Sequence, residues 1–386
     1  MILTNCAYCA APLTHTYFVH CARCYTRYCG SHCLEQHLFI GTHLDHCDQI
    51  ERGGGAEQYH ADTKSAEAAV VAVDRCAEDT KGQTCYICFD GGEGLVRGCA
   101  CRGTAGSVHV SCLAEQAKIL VAEAEENNLD WKAKNARWLR WETCRLCEQD
   151  HHGVVMCALG WACWKTYVGR PEGDWARRRA MTLLGIGLMR ANHHEDALSV
   201  QEAQLSEMRR LGASEEVILT TQGNLAIAYQ HVGRFQEALR VTRDVYHGYS
   251  RLLGNEYGDT LRLANNYASS LVCVKRFEEA KALLREMMPV ARRVLGEDDR
   301  LTLKMRWNYA KALFKAPSAT LDDLREAVTT LEDVGRIARR VLGTAHPLTQ
   351  SIELHLRTSR DALHVREGDD VNPVCEAVEA MTTGDA

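Results

Sequence analysis

Residues 85–112 read CYICFDGGEGLVRGCACRGTAGSVHVSC, and residues 144–147 read CRLC. Together they set eight candidate metal ligands in the series Cys85-x2-Cys88-x10-Cys99-x-Cys101-x7-His109-x2-Cys112-x31-Cys144-x2-Cys147. Thiolate and imidazole are the donors that Zn²⁺ takes in closed tetrahedral sites. Four ligand pairs in series allow the first and third to close one site and the second and fourth another, leaving no open position for chemistry on the metal. Such sites hold structure together. A single Cys-x2-Cys arises readily by chance; two that bracket Cys-x-Cys and His-x2-Cys do not.

The N-terminus carries a second series of eight, Cys6-x2-Cys9-x11-Cys21-x2-Cys24-x4-Cys29-x3-Cys33-x9-His43-x3-Cys47. The two series use 14 of the 19 cysteines. Disulfides in a secreted protein are the competing explanation. Against them stand the Cys/His spacing and the start Met1-Ile2-Leu3-Thr4-Asn5, which has neither the basic residue nor the apolar run of an export signal. A reducing compartment is therefore expected, cytoplasmic or nuclear. Cys76, Cys157, Cys163, Cys273 and Cys375 have no partner pair at ligand spacing. Unliganded cysteines of that kind usually serve as small buried apolar residues.

The C-terminal half repeats. Gly212, Gly254 and Gly296 are 42 residues apart and Gly343 follows after 47, each preceded by Leu and, three residues earlier, by Arg. The same period aligns Asn224, Asn266 and Asn308; Ala226, Ala268 and Ala310; and Ala238 with Ala280. A fixed period with small and large apolar residues at constant offsets predicts a stacked array of helix pairs. Pairs are expected to begin near Trp175, Ala213, Asn255 and Glu297, with a closing helix after His346-Pro347. The terminal glycine suits a left-handed helix cap.

The ligand order of the central series, with Cys fourth and His fifth, resembles the RING-CH (RING-variant) zinc domain. The run CACRGTAGSVHVSCL (99–113) carries that resemblance. It implies one site of Cys85, Cys88, His109 and Cys112, and a second of Cys99, Cys101, Cys144 and Cys147. It also places Ile87 on the surface that docks a ubiquitin-conjugating enzyme. The departures are Gln116 where the family has Trp, Glu148 where active RING domains carry a base, and the 31-residue gap before Cys144. The N-terminal series resembles a MYND finger, including Tyr28-Cys29 and His37, with Leu38 in place of the family's Trp. That resemblance pairs Cys6, Cys9, Cys29 and Cys33 on one ion, and Cys21, Cys24, His43 and Cys47 on another. An AN1-type finger accounts for the first five ligands and His32 but leaves Cys33 and Cys47 unused. The repeats resemble kinesin-light-chain-type tetratricopeptide repeats. The concave face of such an array binds extended peptides, where Asn224, Asn266 and Asn308 would hydrogen-bond a peptide backbone; tying helices together inside the stack is the equal alternative.

These readings give a multidomain fold: two small zinc-stapled α+β modules followed by an all-α tetratricopeptide-type solenoid, with four structural Zn²⁺. The expected boundaries are 1–50, a linker over 51–80 with a helix near 65–76, a zinc domain over 81–168, the array over 175–364, and a disordered acidic tail over 365–386. A net charge of −6 over 386 residues gives no global attraction to nucleic acid. The local run Trp131, Lys132, Lys134, Arg137, Trp138, Arg140, Trp141 could stack on single strands, but its helical spacing favours tryptophans packed on the zinc core. The most apolar stretch, 153–164, falls short of the about 20 residues that cross a bilayer, so no membrane association is expected. No SET domain, Walker loop, dinucleotide fingerprint or hydrolase triad is present. Two functions remain: a RING-type ubiquitin ligase with no covalent intermediate, whose repeats and MYND-type finger recruit protein or peptide partners, or a non-catalytic adaptor built from the same modules.

Overall fold

The computed structural model describes residues 6–11, 13, 18–40 and 43–382, with side chains through 367. Two compact units divide at Val232 and Gly233.

The first unit opens with a cysteine-rich module. Strands β1 (Val19–His20) and β2 (Arg27–Tyr28) pair antiparallel, and helices α1 (Ser31–Phe39) and α2 (His43–Arg52) follow. Its small core is Cys6, Leu13, Cys21, Cys24, Tyr28 and Cys47, so the ligands themselves are much of what is buried. Helix α3 (Ala56–Thr80) starts directly from this module: the Ala56 amide donates to the Cys24 carbonyl at 2.8 Å, and Arg27 pairs with Glu57 at 3.0 Å.

The helix expected near 65–76 within a linker is present and runs longer, as a 25-residue helix that fills most of the stretch. Ala61, Ala72 and Cys76 supply its buried side, packed on the zinc domain and on the long apolar helix beyond it. Glycines 53–55 confine the break to one turn, Gly54 and Gly55 adopting positive φ.

The second cysteine-rich module pairs β3 (Leu95–Val96) with β4 (Val108–His109) and runs into α4 (Val110–Glu126) and α5 (Trp131–Trp138). Helix α6 (Gly153–Tyr167) is apolar on every side and buried along nearly its whole length. Among the described residues no helix is long and apolar enough to cross a membrane; α6 is covered by protein instead. It packs on α3, on α4 and most extensively on α7 (Trp175–Arg190), the first helix of the array. Trp138 and Trp141 are fully buried among Met156, Trp161, Tyr167 and Leu184. They pack on α4 of the cysteine-rich module, through Ala117 and Val121, and also on α6 and α7, so the surface they cover extends beyond the one expected. The boundary expected between 168 and 175 is only the loop from α6 to α7, since one core spans both sides of it. Helices α8 (His194–Arg210) and α9 (Glu215–His231) complete this unit, with Asp174 capping α7 through the amides of Ala176 and Arg177.

The second unit is helical throughout its described residues: α10 (Phe235–Leu253), α11 (Gly258–Cys273), α12 (Phe277–Leu295), α13 (Arg300–Phe314), α14 (Leu321–Val341) and α15 (Pro347–Thr382). Each helix packs on the next. Gly212, Gly254, Gly296 and Gly343 all adopt positive φ, as a periodic helix stop requires. The register alanines 226, 238, 268, 280, 310 and 327 are completely buried, since only a methyl group fits where paired helices approach. The tail expected to be disordered from 365 continues α15 as helix to Thr382; residues 383–386 lie outside the described ones. Small cysteine-rich modules followed by a tetratricopeptide-like helical array are therefore the architecture, as the sequence predicts.

Candidate metal centres

Four clusters bring four ligand atoms each to within 4.8 Å of one another: Cys6, Cys9, Cys29 and Cys33; Cys21, Cys24, His43 and Cys47; Cys85, Cys88, His109 and Cys112; and Cys99, Cys101, Cys144 and Cys147. All sixteen residues of the two series are used, in the interleaved pairing expected. Cys76 is buried against the Arg97 carbonyl, Cys157 and Cys163 lie in the apolar core, and Cys273 is exposed. The side chain of Cys375 lies outside the described residues.

The chain builds these sites with one local device used four times. In each Cys-x2-Cys turn the residue after the second cysteine donates its amide to the carbonyl of the first: Ala10 to Cys6, Tyr25 to Cys21, Phe89 to Cys85 and Glu148 to Cys144, at 2.9–3.0 Å. The first cysteine's amide closes the loop onto the residue five positions later, Ala11, Thr26, Asp90 or Gln149. Ala10, Tyr25, Phe89 and Glu148 consequently sit at φ between 57° and 61°, a left-handed conformation costly for any residue with a side chain. Amide N–H groups turn inward toward the sulfurs, as Ile87 and Leu146 do at 3.4 Å from Cys85 and Cys144 Sγ. The same positive-φ residue recurs at one position of all four turns, where the same two backbone hydrogen bonds close the loop around the cysteines.

The distances fit zinc. Four sulfurs about 2.3 Å from a common centre at tetrahedral angles stand about 3.8 Å apart, and a sulfur and a ring nitrogen about 3.6 Å apart. The observed sulfur separations are 3.7 Å for Cys9 and Cys29, 3.8 Å for Cys21 and Cys47, and 3.8 Å for Cys101 and Cys144. A disulfide brings its sulfurs to about 2.05 Å. The two histidines offer different atoms: His43 Nε2 lies 3.6 Å from Cys24 Sγ, whereas His109 Nδ1 lies 3.4 Å from Cys88 Sγ and 3.7 Å from Cys112 Sγ. Burial holds the His43 imidazole below its ordinary range, in the neutral form that coordinates a metal. Its other nitrogen, Nδ1, is 3.2 Å from the buried Tyr28 hydroxyl, which also reaches His37 Nδ1 at 3.1 Å. That contact fixes the ring and gives Tyr28 and His37 a supporting part.

The Cys99 and Cys101 loop is held from outside as well. Arg97 donates to both carboxylate oxygens of Asp79 on α3, at 2.7 and 2.6 Å, and to the carbonyl oxygens of Gly103 and Ala105. Gly106, at φ 83°, lies so close that a Cβ there would stand 2.4 Å from Cys101 Cβ and 2.9 Å from its sulfur. Only glycine fits.

Ile87, half-buried in the first turn, lines a cleft of about 790 Å³. Gln116 and Ile119 of α4, Arg137 of α5, Arg140 just after it, and Arg145 and Glu148 of the Cys144 turn line it too. The two departures from the RING pattern, Gln116 and Glu148, thus face the same space as Ile87. Neither Trp138 nor Trp141 replaces the missing aromatic, since both are turned into the core. Among the repeat asparagines, Asn308 is buried and donates to Asn265 Oδ1 at 2.9 Å, tying α13 to α11. Its role is internal to the stack, which corrects the peptide-binding assignment for that residue. Asn224 and Asn266 are partly exposed.

Sequence comparison agrees with this geometry piecewise. Residues 85–128 match the RING-variant domain, and residues 218–256 and 260–300 match the tetratricopeptide repeat. These define a zinc-finger type of protein-interaction protein. No curated protein matches the chain. Among solved structures, two of the Podosopora anserina kinesin light chain with nearly identical TPR-like repeats, one of them a point variant, are 20% identical, cover 60% of this chain and 97% of their own, and superpose with TM-scores of 0.37 and 0.36. BtubC (BKLC) from P. vanneervenii is 14% identical over 72% of this chain and 93% of its own, with a TM-score of 0.40.

Proposed function

We propose that this protein is a RING-variant-type ubiquitin ligase whose helical repeats, and whose MYND-type N-terminal finger, hold the protein to be modified. Each of the four clusters would carry one structural Zn²⁺. The ions would fix two turns and α4 around a cleft, and the reaction would take place on the conjugating enzyme docked there, with no covalent intermediate on this chain. The ligase raises the rate by ordering the thioester and keeping the substrate at high effective concentration. The observation that carries the reading is that Ile87, α4 and the Cys144 turn, far apart in sequence, line one open cleft. A cysteine-rich chain relying on thiolate ligands belongs in a reducing compartment, cytoplasm or nucleus.

The second reading is an adaptor that uses the same modules for binding alone. Gln116 and Glu148 favour it, because both stand inside the cleft. Zinc-replete protein incubated with ubiquitin, activating enzyme and a panel of conjugating enzymes separates the two. Chains that disappear with Ile87→Ala, at unchanged zinc content, support the ligase; silence across the panel leaves the adaptor.

A further inference from the structure

Part of the cleft lies in the 31-residue stretch between Cys112 and Cys144, beyond the end of the RING-variant match at residue 128: α5 and the turn after it. Two of the three tryptophans of this segment, Trp138 and Trp141, turn inward and are fully buried, while Trp131 at its start is exposed. Its cations turn the other way. Arg137 and Arg140 face the cleft, and Arg145 joins them from between Cys144 and Cys147. The same amphipathic spacing does both jobs, anchoring α5 by its aromatic side and presenting guanidinium groups on the opposite one.

These three arginines stand apart from those that tie the neighbouring elements together. Arg170, Arg179 and Arg190 each hold a carboxylate, Glu125, Glu142 and Asp150 respectively. Arg137, Arg140 and Arg145 make no ion pair among the described residues. Two carboxylates, Glu115 and Glu148, line the same cleft, and Glu115 also contacts Lys118 at 3.3 Å, so the three arginines outnumber the acidic groups of the lining. Ile87, Ile119 and Leu120 give the same cleft an apolar lining. Apolar residues beside arginines that hold no ion pair are the composition of a protein-binding surface, and a partner's carboxylates would complement those charges. Base stacking on a nucleic acid, which the sequence of this segment allowed, is left with Trp131 alone once Trp138 and Trp141 are buried.

We infer that the cleft accepts a conjugating enzyme that places carboxylates opposite α5, so that Arg137, Arg140 and Arg145 select which conjugating enzyme this protein uses. The inference rests on the ligase reading and narrows it to a charge-defined subset of partners. Recognition here has two parts: the apolar contact at Ile87 supplies docking shared by the panel, and the arginine wall discriminates within it. Complementary charge also speeds association and makes it salt-dependent.

The test measures discharge of ubiquitin from a panel of charged conjugating enzymes onto free lysine, using the zinc-loaded full chain. The variants are Ile87→Ala and the double change Arg137→Glu with Arg140→Glu. Zinc content and helical circular dichroism serve as checks that each variant is folded. The expected result is that discharge is confined to enzymes with acidic docking faces and drops roughly 10- to 100-fold in the double variant. It should also recover when the enzyme's facing carboxylates are changed to arginine. On the unmodified chain the rate should fall steeply as salt rises to about 1 M, where charges are screened beyond about 3 Å. Discharge that needs Ile87 yet ignores both the reversal and salt would overturn the inference and leave the ligase reading intact. Loss of binding to a 20-nucleotide poly(dT) strand in the double variant, with discharge unchanged, would also overturn it, assigning the cations to nucleic acid. No discharge with any enzyme would remove the ligase reading and this inference together.

Discussion

Gly187 and Met156 meet backbone to backbone: a Cβ on Gly187 would stand 2.7 Å from the Met156 carbonyl oxygen and 3.0 Å from Cys157 Cα. Gly160, one turn further along α6, is similarly placed against Leu183 and Leu184. Helices α6 and α7 therefore lie as close as polypeptide allows, and the zinc domain and the first repeat share a single core. Because the obstructing atoms are main chain, no rotamer change relieves a clash. Gly187→Ala should destabilise the first unit by about 1–3 kcal/mol. Gly160→Ala, whose nearest atoms are at 3.1 and 3.2 Å, should cost less. Denaturant unfolding of the two variants checks the order; equal stability to wild type would show that the helices separate readily.

Metal content follows from the clusters. Four zinc ions per chain are expected by elemental analysis. Cys99→Ser and Cys144→Ser should each lose the same ion despite their distance in sequence, because their side chains share one centre. Gly106→Ala, which removes no ligand, should loosen that same centre through its contact with Cys101. Chelation should unfold the two cysteine-rich modules, while much of the helical circular dichroism survives in α10–α15, whose packing involves no metal ligand. Complete loss of helix on chelation would contradict the second unit's independence from the zinc sites.

A pH dependence is expected from Glu125 at the end of α4. It accepts from Arg170 at 2.8 Å through both oxygens and from Trp175 Nε1 at 2.9 Å, joining the zinc domain to the start of α7. The Arg170 guanidinium holds this carboxyl below the usual glutamate range. A depressed pKa in the folded chain means that the pair's contribution is complete above the unfolded value, about 4.3, and is lost as pH falls through the folded value. Glu125→Gln should cost roughly 1 kcal/mol at neutral pH, since the pair is about one-quarter exposed. The gap from wild type should shrink as pH falls below the unfolded value and close only below the folded one. Unfolding curves from about pH 7 downward follow it, and a gap that does not shrink at all in acid would rule out the ion pair as its source.

Asn308 and Asn266 should separate cleanly. Asn308→Ala leaves the buried Asn265 Oδ1 without its donor and should cost about 1–3 kcal/mol. Asn266, partly exposed one residue beyond Asn265, should cost less when changed to Ala. If the two losses in thermal unfolding are equal, the bond between α11 and α13 contributes little.

Much of the fold is legible from spacing. Ligand identity, the interleaving of pairs and the 42-residue period are properties of local sequence, since a Cys-x2-Cys turn and a helix stop at Leu-Gly are closed by hydrogen bonds within a few residues. The helix at 56–80 is legible only over 65–76, because its apolar residues are mostly alanines, too weak a signal to carry it back to the three consecutive glycines. Trp138 and Trp141 meet α6 and α7 as well as the expected α4, which is not legible for a related reason: amphipathic spacing shows that one side is buried and is silent about all that covers it.

The sequence by itself determined the sixteen ligands, the repeat and the helix stops, because each depends on interactions only a few residues long. The tertiary structure alone decided that α3 packs as a continuous helix against the zinc domain, that α6 joins that domain to the repeats through Gly160 and Gly187, and that Arg137 and Arg140 line one cleft with Ile87. Those relations depend on which buried surfaces meet. Hydrophobic burial and close packing act between segments brought together from anywhere along the chain, whereas spacing records only neighbours along it.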